Sequence, residues 1–195
     1  TGEIEGPKVG LLTGYNMVGI PRDLSGTALD GISAFGSVSS YGWISSGLTT
    51  DENKGKFVLV NSTNPVKCGE GYFTNIDSND TLPALEDYSD VTATSFKIGL
   101  KPGWNLISNP YGGNVKLIDM KVQRVNESPV TWEEATNNKW LNNAIYYYNG
   151  SDWGKTYFFE SAGGSPDAIL IPWIGYWIYV GKDDVTYSII IPKPE

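Results

Sequence analysis

Residue types that carry out chemistry are scarce in this chain. There is no histidine, which removes Ser-His-Asp and Cys-His catalysis and the commonest zinc ligand. The single cysteine, Cys68, precedes Gly69-Glu70-Gly71 and has Lys67 as its one basic neighbour. A reactive thiolate needs cationic surroundings, so Cys68 reads as a buried, inert thiol. One cysteine builds neither a thiolate cluster nor an internal disulfide. Glu133 and Glu134 are adjacent and diverge on a helix, where they complement the N-terminal dipole rather than flank a glycosidic bond. The run Ala162-Gly163-Gly164-Ser165-Pro166 lacks the lysine and helix of a phosphate loop. No enzymatic activity is expected.

Binding chemistry has more to work with. Asp77, Asn79 and Asp80 place oxygen donors in a loop after an apolar segment, followed by Glu86, Asp87 and Asp90. They form a candidate Ca2+ site, weighed against a solvated acidic loop, because the glycine and glutamate of the helix–loop–helix calcium pattern are missing. No other cofactor is indicated. Trp43, Trp132, Trp140 and Trp153 fall in loop or turn contexts, and six of the seven tryptophans lie in the second half. Together they are a candidate platform for stacking sugar rings. The competing reading is that they cover barrel ends or join modules. Asn61, Asn79, Asn126 and Asn149 each begin an Asn-x-Ser/Thr sequon.

Charge narrows the partners. The chain carries −8 at pH 7. Residues 1–90 hold five Lys/Arg against twelve Asp/Glu, and residues 91–195 hold nine against ten. An acidic chain without a basic run does not suit nucleic acid or anionic lipid. No stretch of 18 apolar residues is present to span a membrane as a helix. The chain starts at Thr1 without a methionine and reads as a processed or cloned fragment.

The elements that position these residues are strands. Aromatics make up 13%, alongside 23 glycines and 11 prolines, a mixture for short strands and tight turns. Phe96, Ile98 and Leu100 alternate with Ser95, Lys97 and Gly99, and Val185, Tyr187, Ile189 and Ile191 alternate likewise. Asn149-Gly150 signals a hairpin. Thr131 with Glu134 three residues on predicts a short helix, and a second is expected near Thr27–Ile32. The segments GYNMVGIP at 14–21 and GWNLISNP at 103–110 match at an offset of 89 residues, and GYF at 71–73 is followed in the same order by GYW at 175–177. The expected fold is therefore all-β: two tandem, divergent copies of a small antiparallel β-sandwich or barrel-like module, with one or two short helices. Copy one covers 1–92 and copy two 93–195, the second with an insertion around 115–141. The motif tryptophans Trp104 and Trp177 are expected in the cores.

LKPGWNLISNP at 100–110 and IPWIGYWIYV at 171–180 resemble a β-module recurring in secreted and surface-layer proteins of bacteria and archaea. That module runs from a GWNLIS-x-P strand, through a short helix and an aromatic hairpin, to a closing GYW-[IV] strand. Copy two matches along most of its length. Copy one matches more loosely, through Gly14-Tyr15-Asn16 and Gly71-Tyr72-Phe73. The resemblance implies an extracellular or cell-surface location and no active site. It implies a structural or adhesive role within a surface assembly, such as a subunit of an extracellular filament, with other protein chains or further copies of itself as partners. A carbohydrate-binding module using the exposed tryptophans is the alternative, with glycan as partner. Strand edges are the expected means of association, with Thr1–Gly10 and Val185–Ile191 as the segments offered.

Overall fold

A computed structural model of the chain describes residues 11–45, 55–77, 82–83, 85–148, 157–158, 168–181 and 185–195. The fold is mostly β with antiparallel sheets and two short helices. Among the described residues no helix is long and apolar enough to cross a membrane.

In the N-terminal half, β1 (Gly14–Gly19), helix α1 (Gly31–Phe35), β2 (Ser40–Ile44), β3 (Lys56–Leu59) and β4 (Gly71–Ile76) follow in order. The four strands form one sheet, β1-β4-β2-β3. Alternation sends Tyr72, Thr74 and Ile76 inward, where Tyr72 and Ile76 join Val18, Ile20, Leu29 and Phe35 in one buried cluster. Helix α1 starts at Asp30, whose carboxylate accepts from the Ser33 N–H, a few residues beyond the expected position.

The C-terminal half opens with β5 (Ser95–Leu100) and β6 (Gly103–Ser108). The sequence reads Ser95–Ser108 as one strand, but Lys101-Pro102 breaks it, because proline cannot donate to a ladder. The two pieces join different sheets. β7 (Val115–Lys116), β8 (Lys121–Arg124) and β9 (Val130–Thr131) follow. Helix α2 (Trp132–Asn137) then begins at the expected cap, with Thr131 Oγ accepting from the Glu134 N–H at 3.1 Å. The strands β10 (Leu141–Tyr146), β11 (Tyr157–Phe158), β12 (Ile169–Leu170), β13 (Gly175–Val180) and β14 (Tyr187–Pro192) complete the chain. The Asn149-Gly150 turn lies outside the described residues. The sheets are β6-β13-β10-β11, β5-β14-β8-β9 and the small pair β7-β12. They enclose a second, larger cluster that includes Trp132, Tyr176, Tyr187 and Leu100.

The first sheet of each half follows one plan. Gly14 to Gly19 pair with Ile76 to Gly71, and Gly103 to Ser108 pair with Val180 to Gly175, in the same register. In each case the next strand is the one that follows the helix. The Asn16 side chain bonds Leu12 O and Gly14 O, as the Asn105 side chain bonds Lys101 O and Gly103 O. The Tyr72 hydroxyl accepts from the Lys67 N–H at 2.8 Å, and that of Tyr176 from the Ile171 N–H at 2.9 Å.

Where the halves meet, the contacts come in matched pairs. Gly19 N–H donates to Trp173 O at 3.0 Å, and Ser108 N–H to Gly69 O at 2.8 Å. Single bridges link Val18 with Ile174 and Glu70 with Ile107. The acceptors Trp173 and Gly69 both have left-handed backbones, with φ of 69° and 82°. The crossing is close because glycines line it. A Cβ on Gly71 would sit 2.6 Å from Ile107 O, and one on Gly175 2.8 Å from Val18 O.

Val185–Ile191, expected to offer an edge to other chains, does not. Strand β14 is flanked by β5 on one side and β8 on the other, so both its rows of backbone groups are used internally. Its β-branched composition suits a buried central strand, which explains the pattern without a partner. Thr1–Gly10 lies outside the described residues.

Candidate functional site: an aromatic face between the halves

Period two decides which aromatics reach this site. On β6, Asn105 must point inward to bond the Lys101–Gly103 turn, so its neighbour Trp104 points outward. On β13, Tyr176 and Ile178 are fully buried, which leaves Trp177 and Tyr179 on the opposite face. Phe73 holds the matching position on β4 and Trp43 faces out from β2.

Trp177 is the hub of this cluster. Its ring lies 5.1 Å from Trp43, 6.1 Å from Trp104, 6.2 Å from Phe73 and 6.3 Å from Phe57. Trp104 also meets Tyr179 at 5.1 Å and Tyr146 at 5.8 Å. Most pairs are edge-to-face, each worth about 0.5–1.5 kcal/mol beyond simple burial. Trp43 Nε1–H donates to Trp104 O at 2.8 Å, which ties β2 to β6. Phe57 remains 49% exposed and Trp104 40%. Trp43, Phe57, Trp104, Tyr146 and Trp177 line a depression of about 270 Å3 with almost wholly apolar walls.

Such a surface can bury apolar groups. It offers few polar atoms to a sugar's hydroxyls, and Trp43 has already committed its N–H. No chemistry beyond binding follows from its residue types.

The expected core and surface tryptophans are exchanged. Trp104 was placed in a core and is among the most exposed aromatics, while Trp177 is half-buried. Trp132, expected on a surface for sugar stacking, has no exposed area. It occupies the first turn of α2, and the Thr131 cap fixes the helix so that Trp132 and Ala135 share the inward face. Of the remaining expected platform, Trp43 joins the aromatic face, and Trp140 packs on Tyr187 at 5.7 Å beside the second cluster. Trp153 lies outside the described residues. The set is thus not brought together as one platform. An inward-pointing asparagine beside Trp104 fixes the face, and that direction is set only by the turn it bonds.

Asp77 is exposed at the end of β4, while Asn79 and Asp80 lie outside the described residues. Among the described residues no three His, Cys, Asp or Glu side chains gather as metal ligands. Cys68, expected to be buried, is part-buried and lines the groove between the halves. Burial, and secondarily the Asp23 charge, push its pKa up to about 12, and its Sγ contacts Pro110 O at 3.7 Å. Burial also raises Tyr72, assisted by the Glu70 carboxylate that accepts its hydroxyl proton at 3.0 Å. Arg22 is buried, with its guanidinium paired to Asp90 and 5.8 Å above the Trp173 ring.

Comparison with known proteins finds no family model that matches the chain, and no curated protein or solved structure that is significantly similar to it.

Proposed function

We propose that this chain is a non-catalytic structural or adhesive module of an extracellular, cell-surface assembly, and that it holds another polypeptide on its aromatic face. The observation that carries the reading is the Trp177-centred cluster. It remains open at Phe57 and Trp104 and has apolar walls, where a solitary soluble module would place polar side chains. The absence of histidine from the sequence and the unreactive setting of Cys68 support a binding role over catalysis. The likeness of the two motif strands to the GWNLIS/GYW module supports the location.

We further propose that the halves are duplicated copies of one module, paired about a pseudo-twofold axis. A twofold contact makes residue i touch j while the equivalent of j touches the equivalent of i. The bridges Val18–Ile174 and Ile107–Glu70 obey that rule, since Val18 aligns with Ile107 and Glu70 with Ile174. On this reading the aromatic face is the open end of an interface between modules.

The test is sedimentation velocity and binding to cell envelopes of the source organism, with wild type and a Phe57→Ser/Trp104→Ser double variant. Concentration-dependent assembly or envelope binding should be lost in the double variant while it still unfolds cooperatively, at a melting temperature lowered by the loss of its ring contacts alone. A wild type that stays monomeric at high concentration and binds no envelope fraction would exclude the reading.

A further inference from the structure

Strand edges decide what else this fold can hold. The outer edge of β1 is covered, since Met17 N–H and Gly19 N–H donate to Tyr148 O and Trp173 O across the junction. That of β6 is covered by Gly69 O, and β14 is interior. Strand β5 differs: it pairs with β14 on one side only.

The hydrogen-bond phase of β5 follows from one bond. Lys193 N–H donates to Thr94 O at 2.9 Å. In an antiparallel ladder, bonded and non-bonded pairs alternate. Phe96, Ile98 and Leu100 therefore spend their backbone groups on β14. Lys97 and Gly99 turn theirs to the outer side, where no described residue receives them. That edge opens on a groove of about 480 Å3 between the halves, a size usual for ligand clefts. Gly42–Ile44 of β2 and the following Ser45 line it opposite, and Ser45 Oγ–H on Pro102 O at 2.9 Å closes one end.

The groove's charge opposes that of the chain. Its lining includes Lys67, Lys97 and Lys101 against the single acid Glu70. Glu70 pairs with Lys67 at 3.4 Å, and the Lys97 ammonium reaches across β14, away from the groove, to the neutral Gln123 amide of β8 at 2.7 Å. Lys101 is thus the groove's one uncompensated charge among the described residues, on a chain of net −8.

We propose that the outer edge of β5 is a strand-addition site, which takes an extended, acidic segment of another polypeptide into this groove. Main-chain hydrogen bonds to Lys97 and Gly99 would hold the segment, and Lys101 would select its charge. Trp43 borders both this groove and the aromatic depression, so the two form one continuous surface. The inference rests on the reading of the chain as a polypeptide-binding module and names the partner's chemistry.

The probe is a fluorescent eight-residue peptide alternating glutamate and valine, followed by polarisation at low salt. Its controls are the lysine–valine counterpart and the acidic peptide carrying backbone N-methyl groups. Gly99→Pro removes only the outward donor, because proline is tolerated on an edge whose N–H faces away from the ladder. Gly99→Ala keeps the donor, and a Cβ there meets nothing within 4 Å. The acidic peptide should bind saturably, and the lysine peptide should not. Binding should weaken roughly ten-fold or more in Gly99→Pro and with the N-methyl peptide. It should weaken several-fold, with a flatter salt dependence, in Lys101→Glu, and stay intact in Gly99→Ala. Phe57→Ser/Trp104→Ser should leave peptide binding in place, which separates failure of this site from failure of the aromatic face. No saturable binding, or equal binding by N-methylated peptide and by Gly99→Pro, would overturn the proposal. So would self-association blocked by Gly99→Pro without any peptide binding, since a second copy would then be the occupant.

Discussion

Replacing Gly175 with alanine tests how tightly the halves cross. The added Cβ would lie 2.8 Å from Val18 O, 3.1 Å from Val18 N and 3.4 Å from Met17 C. All three are main-chain atoms of a strand held on both sides, by β4 and by the bond from Met17 N–H to Tyr148 O. They cannot yield as a flexible side chain would. Relief requires spreading the sheets, which also lengthens the bond from Gly19 N–H to Trp173 O. Overpacking of this kind costs about 2–3 kcal/mol. For a chain of this length that lowers the melting temperature by about 4–12 °C. Gly71→Ala meets Ile107 O at 2.6 Å and should cost a similar amount. Both changes spread the same crossing, so the double variant should cost less than the sum of the singles. Gly99→Ala and Gly112→Ala, where a Cβ meets nothing within 4 Å, serve as controls for the change in residue type. Calorimetric melts of the wild type and the five variants decide the matter. Alanine at 175 melting with the controls would mean that the sheets do not cross as closely as described.

Trp132→Ala should cost about 3–5 kcal/mol, whereas Trp104→Ala, on a residue 40% exposed, should cost well under half of that; urea titrations would show a reversed order if core and surface were misplaced. Cys68 should resist iodoacetamide in the native protein and react after unfolding. Its folded pKa of about 12 exceeds that of an unfolded thiol, so the folded state keeps the proton longer. This group's contribution to stability is therefore complete below about pH 8.5 and falls as pH rises toward 12, and Cys68→Ala should flatten the decline in urea midpoints across that window. Asp90→Ala leaves the buried Arg22 guanidinium without its carboxylate; because Asp90 is itself 63% exposed, the cost should be about 1–2 kcal/mol by chemical denaturation, and an unchanged midpoint would refute a structural role for the pair.

The strands announced themselves where periodicity and glycine marked their ends. Gly71–Ile76 and Gly175–Val180 are found with the bounds their patterns imply. The Thr131 cap was equally legible, since a hydroxyl three residues before a glutamate has a local purpose. By contrast, β2 was missed, because Ser40–Ile44 mixes serine, glycine and aromatics without alternation and becomes a strand only between β3 and β4. The short strands β7 and β12 depend wholly on each other. The aromatic face was misassigned for a related reason. A tryptophan in an alternating strand is visible in a sequence, but which of the two faces is inside is not. Here the neighbouring asparagine settled it through backbone bonds that appear only once the Lys101–Gly103 turn has formed.

The position of β14 between β5 and β8 has a consequence for how the protein comes into being. Ser95 and Pro192 are cross-strand neighbours, and Tyr187 contacts both Leu100 and Arg124. A ribosome must therefore release nearly the whole C-terminal half before its central strand can be seated, whatever further chain follows. Until then β5 and β8 have no strand between them, and Ile98, Leu100 and Val122 lack their cover. Closing a loop of that length is slow compared with helix formation. The N-terminal sheet, closed by Ile76, can be assembled early. During synthesis it would wait with Val18 and Gly71 ready to receive the later half. The emerging chain would thus pass through a stage with apolar strand edges on display, the stage at which neighbouring nascent chains are most prone to pair with one another.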